Sequence, residues 1–451
     1  MEFFAEYRAV IATLAGIIAL LVLILRARMN AFAALILIAI FSALAAGMSP
    51  EIAMNTVTKG MGGVLGFIAP VIGLGAIFGV ILQASGGVQA LAQGAANLGG
   101  HKRQKWAMGF LGVLAATPVF FDVALIILMP FIAGLAKQGR QKALYFGLPL
   151  CAGLAVGHAF IPPTPGPIAI AELIGANLGW VILFGAVTGL VSVAVSGPIL
   201  TGYLAKTNAL PAGDISILED TQNVATSDKA IGFKTALGLI ALPLLMILIG
   251  TMAKFTLPDG FIKDALVLLG HPFMALLVAA GLCWWFARRS DVPRDIIGEG
   301  LSRAFEPVGV VILVTGAGGA FKQVLVDTGA GAQIAELVLA TGLTPILLAF
   351  SLALIIRAAQ GSATVAMITA AGLMAPVLST MTLSEPRLAL ITIAIAAGAS
   401  GLSFVNDSGF WLVSRLFGLT ERETLRTWTV STSLIAVTGL LCCLVLSLFV
   451  S

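Results

Sequence analysis

Charged side chains are scarce in this chain of 451 residues. Asp, Glu, Lys and Arg together make up 10% of it, against about a quarter in an ordinary soluble domain. Hydrophobic residues make up 59%, and the mean hydropathy is +1.06. A membrane span needs about 20 apolar residues, and this chain has many segments of that length. The composition therefore predicts a protein of the lipid bilayer, and the net charge of +4 does not indicate a nucleic-acid partner.

The sequence also lacks the motifs of several enzyme classes. No Gly-rich phosphate-binding loop ends in Lys-Ser or Lys-Thr, which argues against ATP hydrolysis by this chain. The four cysteines lie in apolar segments without metal or disulfide spacing. Gly398-Ala-Ser-Gly401 resembles the motif of intramembrane serine proteases, but no histidine follows His271 to activate the serine. We therefore expect no enzymatic activity and no metal or other cofactor.

One pattern occurs twice, 243 residues apart. Gly-Leu-Gly-Ala-Ile-Phe at 73–78 reappears as Gly-Ala-Gly-Gly-Ala-Phe at 316–321, and the same offset pairs further glycines downstream. Two similar apolar halves are typical of a secondary transporter whose site lies where the halves meet. We predict a first transmembrane repeat at 1–204, a second at 231–451, and an acidic, flexible cytoplasmic linker at 205–230.

Apolar runs predict five spans in each half: 8–26, 30–48, 61–83, 142–175 and 179–204, then 231–254, 270–287, 304–326, 388–418 and 428–450. Two interrupted apolar pieces, 106–135 and 345–378, are predicted to be re-entrant hairpins. With both termini outside, 18 of the 25 basic residues then fall on the inner face and six on the outer, as the positive-inside rule prefers. Five crossings is an odd number, so the second half is inverted. The expected fold is all-α, with two inverted-topology repeats and broken helices at the midplane.

Four segments resist continuous helix: 115–122, 157–167, 357–364 and 400–409. The second contains prolines at 162, 163, 165 and 167, through which a helix cannot run. The 243-residue offset pairs the first segment with the third and the second with the fourth. Non-helical backbone survives at membrane depth only where it is buried in protein or lines a cavity. We therefore expect a binding site built from two hairpin tips and two broken helices.

Arg357 is the basic side chain that this topology leaves inside the membrane. A charge there is costly, so it is expected to face a cavity and to have a partner. Its planar fork suits a substrate carboxylate, and an internal ion pair with Asp122 or Asp407 is the alternative. Asp407 itself could contact substrate or merely cap the following half-helix. Asp122, His158 and Asp407 are the candidates for carrying a coupling proton.

Neutral polar groups cluster in the same four segments. They would hydrogen-bond a polyhydroxylated solute, although hydroxyls are also enriched where membrane helices pack. The candidate substrate-binding residues, beside Arg357, are Gln360, Gly361, Ser362, Thr364, Thr117, Thr164, Asn406 and Ser408.

These residues resemble the motifs of the gluconate permease family, the gluconate–proton symporters of the wider ion-transporter superfamily. The likeness covers essentially the whole chain, and it is carried by four stretches: Pro118–Asp122, His158–Pro167, Arg357–Val365 and Val405–Trp411. The resemblance implies a multi-pass importer of the bacterial inner membrane that takes up gluconate or a related small sugar acid with protons. By the same analogy it implies a homodimer. A sodium-coupled carrier of a related organic anion and a passive organic-anion channel remain the alternatives.

Overall fold

The computed structural model describes residues 8–27, 29–96, 100–117, 120–213, 231–290, 292–330 and 343–450. Most of the predicted linker, 214–230, and two residues of the first hairpin tip, 118–119, lie outside these ranges. The described part of the chain is helical and contains no strand. The predicted all-α fold is thereby confirmed.

Twenty helices lie in the described residues, ten of them in the first half: α1 Arg8–Leu25, α2 Ala31–Ala45, α3 Pro50–Ala84, α4 Gly87–Ala96, α5 His101–Ala116, α6 Phe121–Gly139, α7 Ala143–Phe160, α8 Pro165–Ile174, α9 Leu178–Ala194 and α10 Leu200–Lys206. The second half contains ten more: α11 Phe233–Thr256, α12 Phe261–Leu269, α13 Pro272–Arg289, α14 Arg294–Asp327, α15 Pro345–Gln360, α16 Ala363–Ser379, α17 Glu385–Ser400, α18 Ser408–Leu416, α19 Glu421–Thr424 and α20 Val430–Ser447. Two π-helical segments complete the described elements, Val195–Ile199 between α9 and α10 and Leu425–Thr429 between α19 and α20.

The helix bounds follow the 243-residue offset. Shifted by that number, α3 coincides with α14 to within one residue, and α5 to α8 coincide with α15 to α18 to within three. Each half therefore contains a long helix, an interrupted helix pair and a broken helix in the same order. The relation of the two halves to the membrane remains a prediction, because no bilayer fixes their orientation.

Local sequence explains where these helices start and break. Pro50 and Pro165 stand in the first turns of α3 and α8, where a missing N–H costs nothing. Ser49 and Ser362 accept backbone N–H groups at the starts of α3 and α16. Gly361 ends α15 with a φ of +82°, a left-handed conformation that favours glycine. The breaks therefore fall at the predicted proline- and glycine-containing segments.

The two long helices α3 and α14 pack against each other at the centre of the fold, and α5 and α15 pack on α7 and α17. Glycines bring the backbones of α5 and α7 into direct contact. A Cβ on Gly153 would overlap the carbonyl oxygen of Gly109, and a Cβ on Gly112 would overlap that of Leu150. A Cβ on Gly398 of α17 would likewise overlap the carbonyl oxygen of Phe350 on α15. Small residues of this kind let membrane helices approach closely.

Six helical stretches among the described residues are long and apolar enough to cross a membrane: Pro50–Ala84, Ala143–Ile174, Leu178–Lys206, Phe233–Thr256, Asp295–Asp327 and Glu421–Ser447. A seventh is the pair α12 and α13, which is bent by 63°. These seven coincide with seven of the ten predicted spans. The other three predictions fall on helices as well, namely α1, α2 and the pair α17 and α18. The structure also shows α12, which lies outside every predicted span.

Candidate substrate site

A cavity of about 330 Å³ lies where the predicted breaks meet. Its wall is formed by six parts of the chain: the first hairpin tip at 120–122, α7, α14, the second hairpin tip with Arg357, the broken segment at 400–409, and the start of the last helix. This volume is at the lower end of the range for small-molecule sites, about 300–1,000 Å³. Both halves therefore contribute to one cavity suited to a small solute.

Arg357 and Asp407 form a buried ion pair at this wall, from Nη2 to Oδ2. Their side chains are 4% and 11% exposed. The Nε and Nη1 atoms of Arg357 have no hydrogen-bond partner within the described structure. Because an uncompensated buried donor is costly, these groups would gain most from a second carboxylate. The partner of Arg357 is thus Asp407 and not Asp122, and donors remain for an anion.

Asp407 also caps α18, because its Oδ1 accepts the backbone N–H of Gly409 at 3.0 Å. Capping and pairing with Arg357 were two separate interpretations, and one carboxylate does both. Its Oδ2 additionally accepts the hydroxyl of Ser403. Three donors therefore occupy most of the roughly four acceptor sites of this carboxylate.

Asp122 and His158 contact the same cavity from the first half of the chain. Asp122 lies in the first turn of α6 with an exposed side chain, where the positive end of the helix dipole favours negative charge. No hydrogen bond or ion pair joins it to any other described residue. His158 Nε2 lies 3.3 Å from Thr364 Oγ1 at the second hairpin tip, so this contact links the two halves.

Other predicted residues divide between the cavity wall and its surroundings. Ser362, Thr364 and Ser408 line the main cavity. Thr117 and Thr164 line a separate space of about 20 Å³, and their hydroxyls donate to backbone carbonyls of the preceding turn. Phe120 and His158 contribute to both spaces. Three of the predicted hydroxyls therefore reach the main cavity directly, and two do not.

Gln360, Gly361 and Asn406 lie outside the walls of both cavities. Asn406 donates from Nδ2 to the carbonyl of Ala358 at 2.9 Å, which ties the broken segment to α15. A Cβ on Gly361 would overlap the carbonyl oxygen of Asn406, so only glycine fits this crossing. The geometry gives Gly361 and Asn406 a role in joining the hairpin tip to the broken helix.

Several wall residues carried no signal in the sequence. Val310, Val311 and Val314 of α14 form an apolar side, and Trp428 and Thr432 line the wall beside Asp407. The valines resemble any lipid-facing apolar residues, and the other two lie on a span without an obvious break. Their polar and aromatic side chains on an otherwise apolar last span are the signal that could have identified Trp428 and Thr432.

An apolar helical bundle that encloses a polar cavity at its helix breaks is the architecture of a membrane transporter. The sequence model of the GntP family permease matches residues 8–449, and the chain belongs to that family. It is accordingly a multi-pass membrane permease and not an enzyme.

Curated relatives agree with this assignment, and a solved structure agrees with the fold. The chain is 36% identical to the low-affinity gluconate transporter of Escherichia coli (strain K12), over 95% of this chain and 96% of the relative. It is 34% identical to the L-idonate transporter of the Gnt-II system of the same organism, over 95% and 96%. The YdaH transporter of Alcanivorax borkumensis matches with a TM-score of 0.62 at 14% identity, covering 89% of this chain and 90% of that one. The last likeness shows the fold alone.

Proposed function

We propose that this permease imports gluconate or a related small sugar-acid or hydroxy-acid anion by proton symport across the bacterial inner membrane. The observation that carries the proposal is Arg357, which lies in the cavity wall and whose buried Nε and Nη1 have no hydrogen-bond partner among the described residues. Arginine is the side chain best suited to bind a carboxylate through several N–H groups. The names of the two quoted relatives, a gluconate and an L-idonate transporter, support this substrate class.

The remaining polar wall groups suit the hydroxyls of a sugar acid. Ser362, Thr364 and Ser408 line the cavity from the second hairpin tip and the broken segment, the same two parts of the chain that supply the ion pair. Three valines of α14 also line it and can cover the carbon backbone of the substrate. A sugar acid would then place its carboxylate at Arg357, its hydroxyls along the second hairpin tip and the broken segment, and its carbon backbone against the valines.

Proton coupling falls to Asp122 or His158 in this proposal. Asp407 accepts from Arg357, Ser403 and Gly409, and a proton on it would remove the negative charge that pairs with Arg357. Asp122 faces the cavity without such partners among the described residues. Negative charge on Asp122 beside the anion would be unfavourable, so its protonation would accompany substrate binding.

The topology belongs to the same proposal. We infer two inverted repeats at 1–204 and 231–451, joined by a cytoplasmic linker, with both termini outside. The interrupted pairs α5–α6 and α15–α16 are then re-entrant hairpins whose tips meet at the cavity. A homodimer follows by analogy with related carriers.

Uptake into proteoliposomes tests the function. Labelled gluconate should accumulate when the outside is acidified, and the same gradient should drive it without sodium, with choline as the replacement cation. Accumulation that follows sodium and ignores the pH gradient would favour the sodium-coupled carrier. Flux that neither saturates nor shows counterflow of labelled substrate would favour a passive channel.

A further inference from the structure

Ser403 connects the candidate anion site to the last helix, and all its polar groups are engaged. Its hydroxyl donates to Oδ2 of Asp407 and accepts the indole N–H of Trp428 at 2.7 Å. Its backbone N–H donates to Thr432 Oγ1 at 3.2 Å, and its carbonyl accepts the hydroxyl of Thr429. Ser403 is fully buried, and the predicted function assigns it no role. This set of contacts fixes its position from the side of the last helix.

The direction of each hydrogen bond follows from the donor inventory. An indole N–H can only donate, so the Ser403 oxygen must be the acceptor from Trp428. The single O–H of Ser403 is then left for the carboxylate of Asp407. Trp428 therefore sets the orientation of the Ser403 hydroxyl. That hydroxyl donates to Oδ2 of Asp407, which also pairs with Arg357.

Trp428 lies in the π-helical segment Leu425–Thr429, an irregularity found frequently at functional sites. Its ring packs against Phe121, with centroids 5.6 Å apart and planes at 31°. Phe121 neighbours Asp122 at the first hairpin tip. A hydrogen-bonded series thus runs from Arg357 through Asp407 and Ser403 to Trp428. At its end the Trp428 ring contacts Phe121, the neighbour of the candidate proton site Asp122.

We propose that Ser403 and Trp428 are positioning residues, which hold the Asp407 carboxylate on Arg357 and so fix the guanidinium in the cavity wall, where it can meet a substrate carboxylate. The inference rests on the proposed function, because it concerns affinity for a substrate carboxylate. Asp407 in this arrangement orients Arg357 and stays bound to it. Removing the hydrogen bond from Trp428 to Ser403, or the one from Ser403 to Asp407, should weaken substrate binding and leave the transport rate at saturating substrate nearly unchanged.

Trp428→Phe is the sharpest variant, because it removes the N–H and keeps a ring against Phe121. We expect KM for gluconate to rise about threefold to tenfold, the effect of one lost hydrogen bond, with the maximal rate within twofold of wild type. Trp411→Phe is the matched control. Its indole also donates to the broken segment, to the carbonyl of Val405 at 2.8 Å, but in the described structure it makes no hydrogen bond to the Asp407 carboxylate. The backbone N–H of Trp411 donates to the Asp407 carbonyl, and the substitution leaves that bond in place.

A double-mutant cycle separates positioning from general damage to the fold. Ser403→Ala should raise KM at least as much as Trp428→Phe, and the double variant should equal Ser403→Ala alone, because the bridging hydroxyl is already absent. Unchanged KM in both single variants, a double effect equal to the product of the single ones, or tighter binding would overturn the proposal. The last result would mean that Asp407 competes with substrate.

If the proposed function is wrong, the wild type will take up no gluconate under any ion gradient. In that case the unfolding temperatures of the wild type, the two single variants and the double variant are measured in detergent without substrate. Non-additive losses from Trp428→Phe and Ser403→Ala would support the hydrogen-bonded series, and additive losses would overturn it.

Discussion

Replacing Arg357 by lysine tests the anion site, because it keeps the charge and removes the fork. The guanidinium presents three nitrogens: Nη2 holds Asp407, while Nε and Nη1 have no partner in the described structure. A lysine ammonium is a single nitrogen on a flexible stem. It can remain paired with Asp407 or turn to the substrate, but it cannot do both from the same position.

The size of the effect follows from the donors that are lost. Each hydrogen bond between a charged donor and a carboxylate contributes about 1.5–3 kcal/mol. Loss of two at the lower figure is about 3 kcal/mol, which corresponds to roughly a hundredfold increase in Kd. Arg357 is buried, so solvent screening reduces this figure little. We therefore expect Arg357→Lys to bind gluconate about a hundredfold more weakly than wild type.

Equilibrium binding of labelled gluconate to the purified protein measures this Kd directly, without the steps of transport. Arg387→Lys is the control, because Arg387 is an exposed arginine at the start of α17 whose Nε donates to the carbonyl of Val450. Size-exclusion profiles of both variants should match wild type. A Kd for Arg357→Lys within threefold of wild type, or an equal loss in Arg387→Lys, would refute a carboxylate site at Arg357.

Three further outcomes are expected. Gly361→Ala should lower the unfolding temperature in detergent by several degrees, because its Cβ would overlap the carbonyl of Asn406 and its φ is positive; Gly62→Ala, whose Cβ meets nothing within 4 Å, should not. Asp122→Asn should retain counterflow of labelled gluconate and lose most accumulation driven by a pH gradient; unchanged accumulation would remove Asp122 from proton coupling. A cysteine at Lys137 should react with impermeant reagents only from the cytoplasm, and labelling from outside would contradict the first re-entrant hairpin.

The positions of the helix breaks around the site could be predicted from the sequence, but the side-chain pairs within the site could not. All four irregular segments contribute to the cavity walls, because proline and glycine break helices through local sterics that are legible from the chain. The choice between Asp122 and Asp407 as partner of Arg357 depended on tertiary distances and stayed open. Trp428 and Ser403 are 25 residues apart in the chain, so their hydrogen bond could not be predicted from local sequence either.

The surface helix α12 shows a second limit. Phe261–Leu269 is nine residues long, has no buried residue and contains Lys263 and Asp264, so it lacks the length and the uniform apolar character that predict a span. Gly270, at its end, meets Gly250 of α11 backbone to backbone. Short helices of this type are fixed by packing and not by their own periodicity.

The glycine contacts between α5 and α7 constrain how the transporter can work. Two helices that touch backbone to backbone, as at Gly153 and Gly109, have no side-chain layer to rearrange, so sliding one past the other would force main-chain atoms together. The same holds for α15 and α17 at Gly398. We expect each hairpin to travel with its broken helix as one rigid body. The cavity is lined by both of these units and by α14, so we expect any change of access to it to come from contacts outside the two glycine interfaces.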